Sequence, residues 1–237
     1  MYKVGICDDG ISICSRIEEF IIKYAEEHKL KKYIYIWYTG EGIIENLRND
    51  MQLDILFLDI ELLKISGIEV GNYIRNNLEN RDMQIIYISG KDFYAKELFK
   101  TQPMDFIIKP ITIGKIYASM DLAIKIVNKR NARYIIQQGK EYVFIPMGEI
   151  RYIMSQGRKV EVVIGDCTYK FYGKLSDEYK KLTEDFIIIH KSYIINKKYI
   201  KKYTYEVIQM TDNSIFTISK IHRKKVRNKL LKDMIND

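Results

Sequence analysis

Short apolar runs alternate with longer stretches whose apolar residues recur every three or four positions, and this alternation fills the first half of the chain. Residues 2–7 (YKVGIC), 33–38 (YIYIWY), 54–60 (DILFLDI), 84–89 (QIIYIS) and 105–108 (DFII) read as strands. Residues 11–28 place Ile11, Cys14, Ile17, Ile21, Tyr24 and Ala25 at helical spacing, with Ser12 near the start as a capping residue. Further helices are expected over 41–48, from Ser66-Gly67 to Asn77, over 92–100, and from Thr112 to Asn128. Five β–α units with short apolar strands predict a parallel sheet covered on both faces. Right-handed crossovers make a flavodoxin-like, doubly wound five-stranded sheet of order 2-1-3-4-5 the leading topology.

The pattern changes after residue 129. Strands dominate, over 133–138, 141–146, 149–154, 158–164, 167–172, 186–190, 192–195, 201–210 and 214–219. Turn signals at Gln138-Gly139, Gln156-Gly157, Gly165-Asp166 and Asp212-Asn213 separate them, and the last three predict hairpins. Only two helices are expected here, Leu175 to Leu182 and Ile221 to Met234. The organisation is therefore an α/β domain over 1–125, a polar, basic linker over 126–133, and a mostly β domain over 134–237.

Charge sharpens this division. The net charge is +8, yet residues 1–128 carry 16 Lys+Arg against 19 Asp+Glu (−3), and residues 129–237 carry 23 against 12 (+11). A near-neutral half beside a strongly basic one suggests a control unit and a polyanion-binding unit. The plainer alternative is a solvated basic surface. Cys7, Cys14 and Cys167 show no C-x-x-C spacing, so reduced thiols in a cytoplasm are expected rather than a disulfide framework or a zinc site. His28, His190 and His222 are scattered and suggest no metal cluster. No apolar run is long enough to span a bilayer, and the N-terminus turns acidic too soon for a signal peptide. A cytoplasmic protein without a membrane partner is expected.

The chemistry gathers at strand ends. Asp59 closes the apolar run LFLD, and an acid ending a buried strand is costly unless it binds something at an open edge. Asp8-Asp9 follow the first strand, Ser89 ends the fourth, and Lys109-Pro110 follow the fifth. In a doubly wound sheet these ends face one crevice. Three converging carboxylates suit Mg²⁺ with oxygen ligands. A hydroxyl and an ammonium suit an anion. The set is one for phosphoryl transfer to Asp59 as nucleophile, with Ser89 and Lys109 on the phosphoryl oxygens. A cis Lys109-Pro110 peptide would help aim the lysine inward.

Residues 1–125 resemble the receiver domain of two-component response regulators, on CDD (7–9), LFLDI (56–60), YISG (87–90) and DFIIKP (105–110). The resemblance implies that Asp8 and Asp9 are the acidic metal pair and Asp59 the phosphoacceptor. It implies that Glu61 offers its backbone carbonyl to the metal. Ser89 would be the switch hydroxyl, Phe106 the switch aromatic and Lys109 the phosphate-sensing lysine. Phe at 106, where Tyr is more common, excludes any role for a ring hydroxyl.

In the basic half no pair of adjacent helices suits a helix-turn-helix, so a β-rich reader must place loops in the grooves. Residues 134–237 resemble the LytTR family of DNA-binding domains, on IRYIMSQGRKVEV (150–162), FIIIHKSYIIN (186–196) and IFTISK (215–220). The resemblance implies double-stranded DNA as partner, contacted through Gln156, Arg158, Lys159, Lys191, Lys220, His222 and Arg223. Family members often carry a basic residue two after the serine of the third motif; here Ile221 stands there. Lys191 and Arg158 can pair with guanine edges or with phosphates. His190 and Asn196 are expected to be structural, and Tyr199, Tyr203 and Tyr205 to pack rather than stack on bases.

Together these features predict a regulator phosphorylated by a sensor histidine kinase, dimerising, and binding paired direct repeats in DNA. Two other readings use the same residues. One is a Mg²⁺-dependent phosphatase with Asp59 as nucleophile and Glu61 as general acid. The other is an RNA-binding antiterminator.

Overall fold

Strands β1 (Tyr2–Cys7), β2 (Lys32–Trp37), β3 (Ile55–Asp59), β4 (Gln84–Ser89) and β5 (Asp105–Ile108) pair in parallel, in the order β2-β1-β3-β4-β5. The computed structural model describes residues 1–236, with side chains described outside 95–97, 138 and 233–236. Central β3 is buried along its whole length. Its side chains alternate between two cores, as the period of two requires. Ile55 and Phe57 pack with α1 (Ile11–Glu27) and α4 (Ile113–Asn131), through Cys14, Ile17, Ile21, Ile116 and Met120. Leu56 and Leu58 pack with α2 (Gly40–Arg48) and α3 (Gly67–Asn72), through Ile43, Leu47 and Val70. Burial on both faces explains why β3 reads as a continuous apolar run.

Local chemistry fixes several boundaries. Ser66 caps α3 in a capping box with Glu69. Ser12 is no cap: the N-cap of α1 is Gly10, whose N–H donates to Asp8 Oδ1 at 2.8 Å. The helix expected from 66 to 77 is α only to Asn72 and then passes into a π turn, Tyr73–Asn77. That wider turn carries Arg75, whose buried guanidinium donates to the carbonyls of Asn80, Met83, Thr101 and Gln102. The helix expected over 92–100 is a 3₁₀ helix, Asp92–Thr101, closed by Gln102 at φ 48°. Among the described residues it gives only Leu98 and Tyr94 to the core, so little apolar burial enforces the α period. The Lys109-Pro110 peptide is cis.

The stretch 126–133, expected as a linker, is helical through Asn131. Lys129 and Arg130 in the last turn of α4 complement its negative dipole end, which favours continuing the helix there. The chain divides into two compact units, Met1–Asn128 and Lys129–Asp237.

In the second unit, β6 (Arg133–Gln138) and β7 (Glu141–Pro146) form a hairpin. A five-stranded antiparallel sheet runs in the order β10-β9-β8-β12-β11, from β8 (Ile150–Gln156), β9 (Lys159–Ile164), β10 (Cys167–Tyr172), β11 (Phe186–His190) and β12 (Tyr193–Asn196). A second sheet holds β13 (Ile200–Tyr203), β14 (Val207–Met210) and β15 (Ile215–Thr217). The single strand expected over 201–210 is thus two, because the chain turns at Thr204, whose N–H donates to Val207 O at 2.8 Å. Gly139, Gly157, Gly165 and Asn213 sit at φ 65°, 63°, 50° and 67°, which is why the four turn signals are hairpin turns. Helix α5 covers only Leu175–Tyr179, and α6 runs Arg223–Asn236. Among the described residues no helix is long and apolar enough to cross a membrane.

Candidate functional site

The parallel sheet delivers Asp8, Asp59, Ser89 and Lys109 to the carboxyl ends of neighbouring strands. Carboxylate oxygens of Asp8, Asp9 and Asp59 lie within 4.8 Å of one another. Asp8 and Asp59 are buried, while Asp9 is exposed. Lys109 Nζ donates to Asp8 Oδ2 at 3.1 Å and lies 3.2 Å from Asp59 Oδ1. That second approach is an ion pair with poor angular alignment, so buried Asp59 Oδ1 has no well-aimed donor. Burial, together with the neighbouring Asp8 carboxylate, pushes the Asp59 carboxyl up to about 6 against the pull of Lys109.

Ser89 is fully buried, and its Oγ accepts from the N–H of Lys91 at 3.0 Å. Phe106 pairs in register with Tyr87 and packs half-buried against the α2/α3 core. The Glu61 carboxylate is engaged by Lys91 Nζ. Lys91 stands two residues after Ser89, a spacing that is itself a usable sequence signal. Gly67 does more than open α3. Its N–H donates to Ile60 O at 3.0 Å, and the missing side chain lets α3 begin directly against the backbone of Asp59.

In the second unit the three loops expected to contact DNA are tied together. Ser155 N–H donates to Ser192 O at 3.0 Å, joining the end of β8 to the Lys191 turn. Ser219 N–H donates to Ile189 O at 3.0 Å, joining the turn before α6 to β11. Gln156, Arg158, Lys159, Lys191 and Lys220 are exposed. His222 and Arg223 are half-buried. His222 Nδ1 lies 2.7 Å from Ser219 Oγ, and partial burial with Lys225 and His190 nearby lowers its pKa. Arg223 is committed: it donates to Glu206 Oε1 at 2.6 Å and to Ile218 O at 3.3 Å, over the ring of Tyr205. Glu206 lies 17 residues away, so no local pattern could have shown this.

Asn196, His190, Tyr199 and Tyr203 have the partners a structural role requires, whereas Tyr205, also expected to pack, is exposed and lies under the Arg223 guanidinium. Asn196 is buried, donates to Ile150 O at 2.9 Å and accepts from Lys198 N at 3.1 Å. His190 Nδ1 accepts from Ser192 N at 3.1 Å. Tyr199 donates to Gly148 O at 2.8 Å, and Tyr203 packs with the Ile208 core.

Residues 4–121 match the response regulator receiver domain and residues 140–231 the LytTr DNA-binding domain. The transcriptional regulatory protein LytR of Staphylococcus aureus is 30% identical over 187 residues, covering 66% of this chain and 72% of that one. The chain belongs to the LytTR response regulators. Another relative, the transcriptional regulatory protein NatR of Bacillus subtilis, is 27% identical over 207 residues, 86% of each chain. Among solved structures, the response regulatory domain of protein mrkE from Klebsiella pneumoniae superposes with a TM-score of 0.48 at 20% identity, over 54% of this chain and 98% of that one. As a LytTR response regulator the chain is a transcription regulator with a receiver domain and a DNA-binding domain. The match to a DNA-binding domain sets aside the RNA reading.

Proposed function

We propose that Asp59 accepts a phosphoryl group from a phosphohistidine of a sensor kinase, and that its charge controls DNA binding by the second unit. The observation that carries this is the convergence of Asp8, Asp9 and Asp59 within 4.8 Å, with the Lys109 ammonium against two of them. An Asp59 carboxylate oxygen bonds to phosphorus as the P–N bond breaks, and the imidazole leaves with its electron pair. The all-oxygen donor set and the orphaned Asp59 Oδ1 fit a hard divalent cation, so Asp8, Asp9, Asp59 and the Glu61 carbonyl would hold Mg²⁺. Bound there, Mg²⁺ supplies neutralisation of charge on the phosphoryl oxygens. Lys109 holds one oxygen, and Ser89 turns from the Lys91 amide to another, leaving room for Phe106 to reorient.

Phe93, Phe99 and Ile108 leave apolar surface exposed on the 3₁₀ segment and β5. This supports a homodimer formed through that face on phosphorylation, which would set two basic units on paired direct repeats. Three free cysteines suit the cytoplasm as the place of action. A turnover phosphatase is less well supported, because the Glu61 carboxylate it needs as general acid is engaged by Lys91.

Incubation with acetyl phosphate and Mg²⁺ should add one phosphoryl group to the parent protein and none to Asp59→Asn, as read by intact mass. A parent protein that stays unmodified, or a variant modified equally, overturns the assignment.

A further inference from the structure

The turn between β15 and α6 carries an apolar side chain where charge dominates. Residues 220–232 hold seven cations and no acid. Within them Ile221 is 84% exposed, the most exposed large apolar side chain among the described residues. Its burial contributes nothing to the fold, so its apolar surface is free for a partner. It opens a cavity of about 540 Å³ lined further by Lys224, Lys225, Asn228, Lys229 and Lys232.

The groups around Ile221 sort by availability. Ser219 and His222 hold each other, Arg223 is held by Glu206, and Lys229 donates to Phe186 O. Lys224 and Lys225 are exposed. The turn therefore presents one apolar knob between cations, and its arginine is turned away from reading. A cationic surface selects a polyanion, and the charge is complementary to the phosphates of duplex DNA. The apolar group on base edges in the major groove is the thymine 5-methyl.

We propose that Ile221 reads a thymine methyl in the major groove, with Lys224 and Lys225 on the adjacent phosphates. The inference rests on this surface facing DNA and adds to it one specified base. A basic side chain at 221 would favour guanine O6 and N7; isoleucine makes thymine the favoured base at that step.

Selection from a random duplex pool with the full-length protein supplies a bound site. Each thymine is then replaced singly by deoxyuridine, which removes only the methyl. One thymine per half-site should lose about three- to tenfold in affinity, the scale expected for one buried methyl contact. The same replacement should be silent in Ile221→Ala. Ile221→Ala should keep the salt dependence of the parent. The double variant Lys224→Ala/Lys225→Ala should weaken binding to every sequence and reduce the salt slope by about two. The inference is overturned if every deoxyuridine position behaves alike in parent and Ile221→Ala while both bind. It is also overturned if Ile221→Ala weakens all duplexes equally. An unchanged salt slope in the double lysine variant would overturn the placement of this surface on DNA. Failure of the parent to bind any duplex would overturn the DNA-binding reading itself.

Discussion

Gly67 lies against the backbone of Asp59: a Cβ at residue 67 would stand 2.0 Å from the Asp59 carbonyl oxygen and 2.9 Å from its carbonyl carbon. Both atoms belong to the buried central strand, so neither can swing aside as a side chain could. Gly114, in the first turn of α4, has nothing within 4 Å of the same position. The two glycines predict opposite signs. Gly67→Ala should destabilise by about 1–3 kcal/mol or more, as overpacking does, and slow modification of Asp59 by shifting its strand end. Gly114→Ala should stabilise by about 0.5–1 kcal/mol, by removing freedom from the unfolded chain. Urea midpoints of the two variants decide it; equal shifts of the same sign would show that the close approach does not constrain the fold.

Asp59 predicts a pH dependence of stability. Its carboxyl is raised from 3.8 to about 6 by burial and by the Asp8 carboxylate. The folded state therefore holds this proton more tightly than the unfolded chain does, and stability falls as pH rises from about 4 through 6. At pH 7, without Mg²⁺, the ionised carboxylate costs about 2–3 kcal/mol. Asp59→Asn carries no charge there. It should melt at a higher temperature than the parent at pH 7 in a chelator, and the gain should shrink to nothing near pH 4. Added Mg²⁺ should raise the parent's melting temperature more than the variant's. A parent more stable than Asp59→Asn at pH 7 in chelator would contradict the sign.

Arg75 predicts a local effect far from the pocket. It is 5% exposed and donates to four carbonyls, of Asn80, Met83, Thr101 and Gln102. It thus ties the π turn to the end of the 3₁₀ segment. Arg75→Met keeps the reach and leaves those acceptors unsatisfied, at about 3–5 kcal/mol. Arg75→Lys should recover only part of this, since an ammonium cannot reproduce the planar fork. Hydrogen exchange should quicken first in residues 92–101. Uniform quickening across the first unit would mean that Arg75 supports the whole core rather than this segment.

The strand order and the meeting of Asp8, Asp59, Ser89 and Lys109 were legible because β–α alternation and strand-end residues are local signals that topology turns into one place. The hairpins after Gln156, Gly165 and Asp212 were legible for the same reason: each turn residue carries its own backbone preference; at Gln138-Gly139 the sequence marks a turn, and the structure makes it a fourth hairpin. What was not legible depends on partners far along the chain. The π turn serves Arg75 and carbonyls up to 27 residues away. The 3₁₀ form of 92–101 reflects how little of that segment the core accepts, and an apolar count does not reveal it. For Arg223 the resemblance implies a DNA contact, and the basic run around it does not show that Glu206, 17 residues away, and the ring of Tyr205 hold its guanidinium.

That last pair carries a prediction of its own. Arg223 Nη1 donates to Glu206 Oε1 at 2.6 Å, and Glu206 is the exposed partner. An ion pair this exposed contributes at most about 1 kcal/mol to folding, so removing it should leave the melting temperature close to the parent's. Its effect should fall on DNA instead. Glu206→Gln takes one negative charge from the surface and frees the guanidinium for a phosphate. Affinity for duplexes of any sequence should rise, and the logarithmic salt slope should steepen by about one. Discrimination between the selected site and random duplex should fall, because a freed arginine adds sequence-independent contacts. Titrations of both duplexes across a salt series measure all three quantities. If Glu206→Gln binds more weakly than the parent, Glu206 holds Arg223 in a productive position, and Arg223 is itself part of the reading surface.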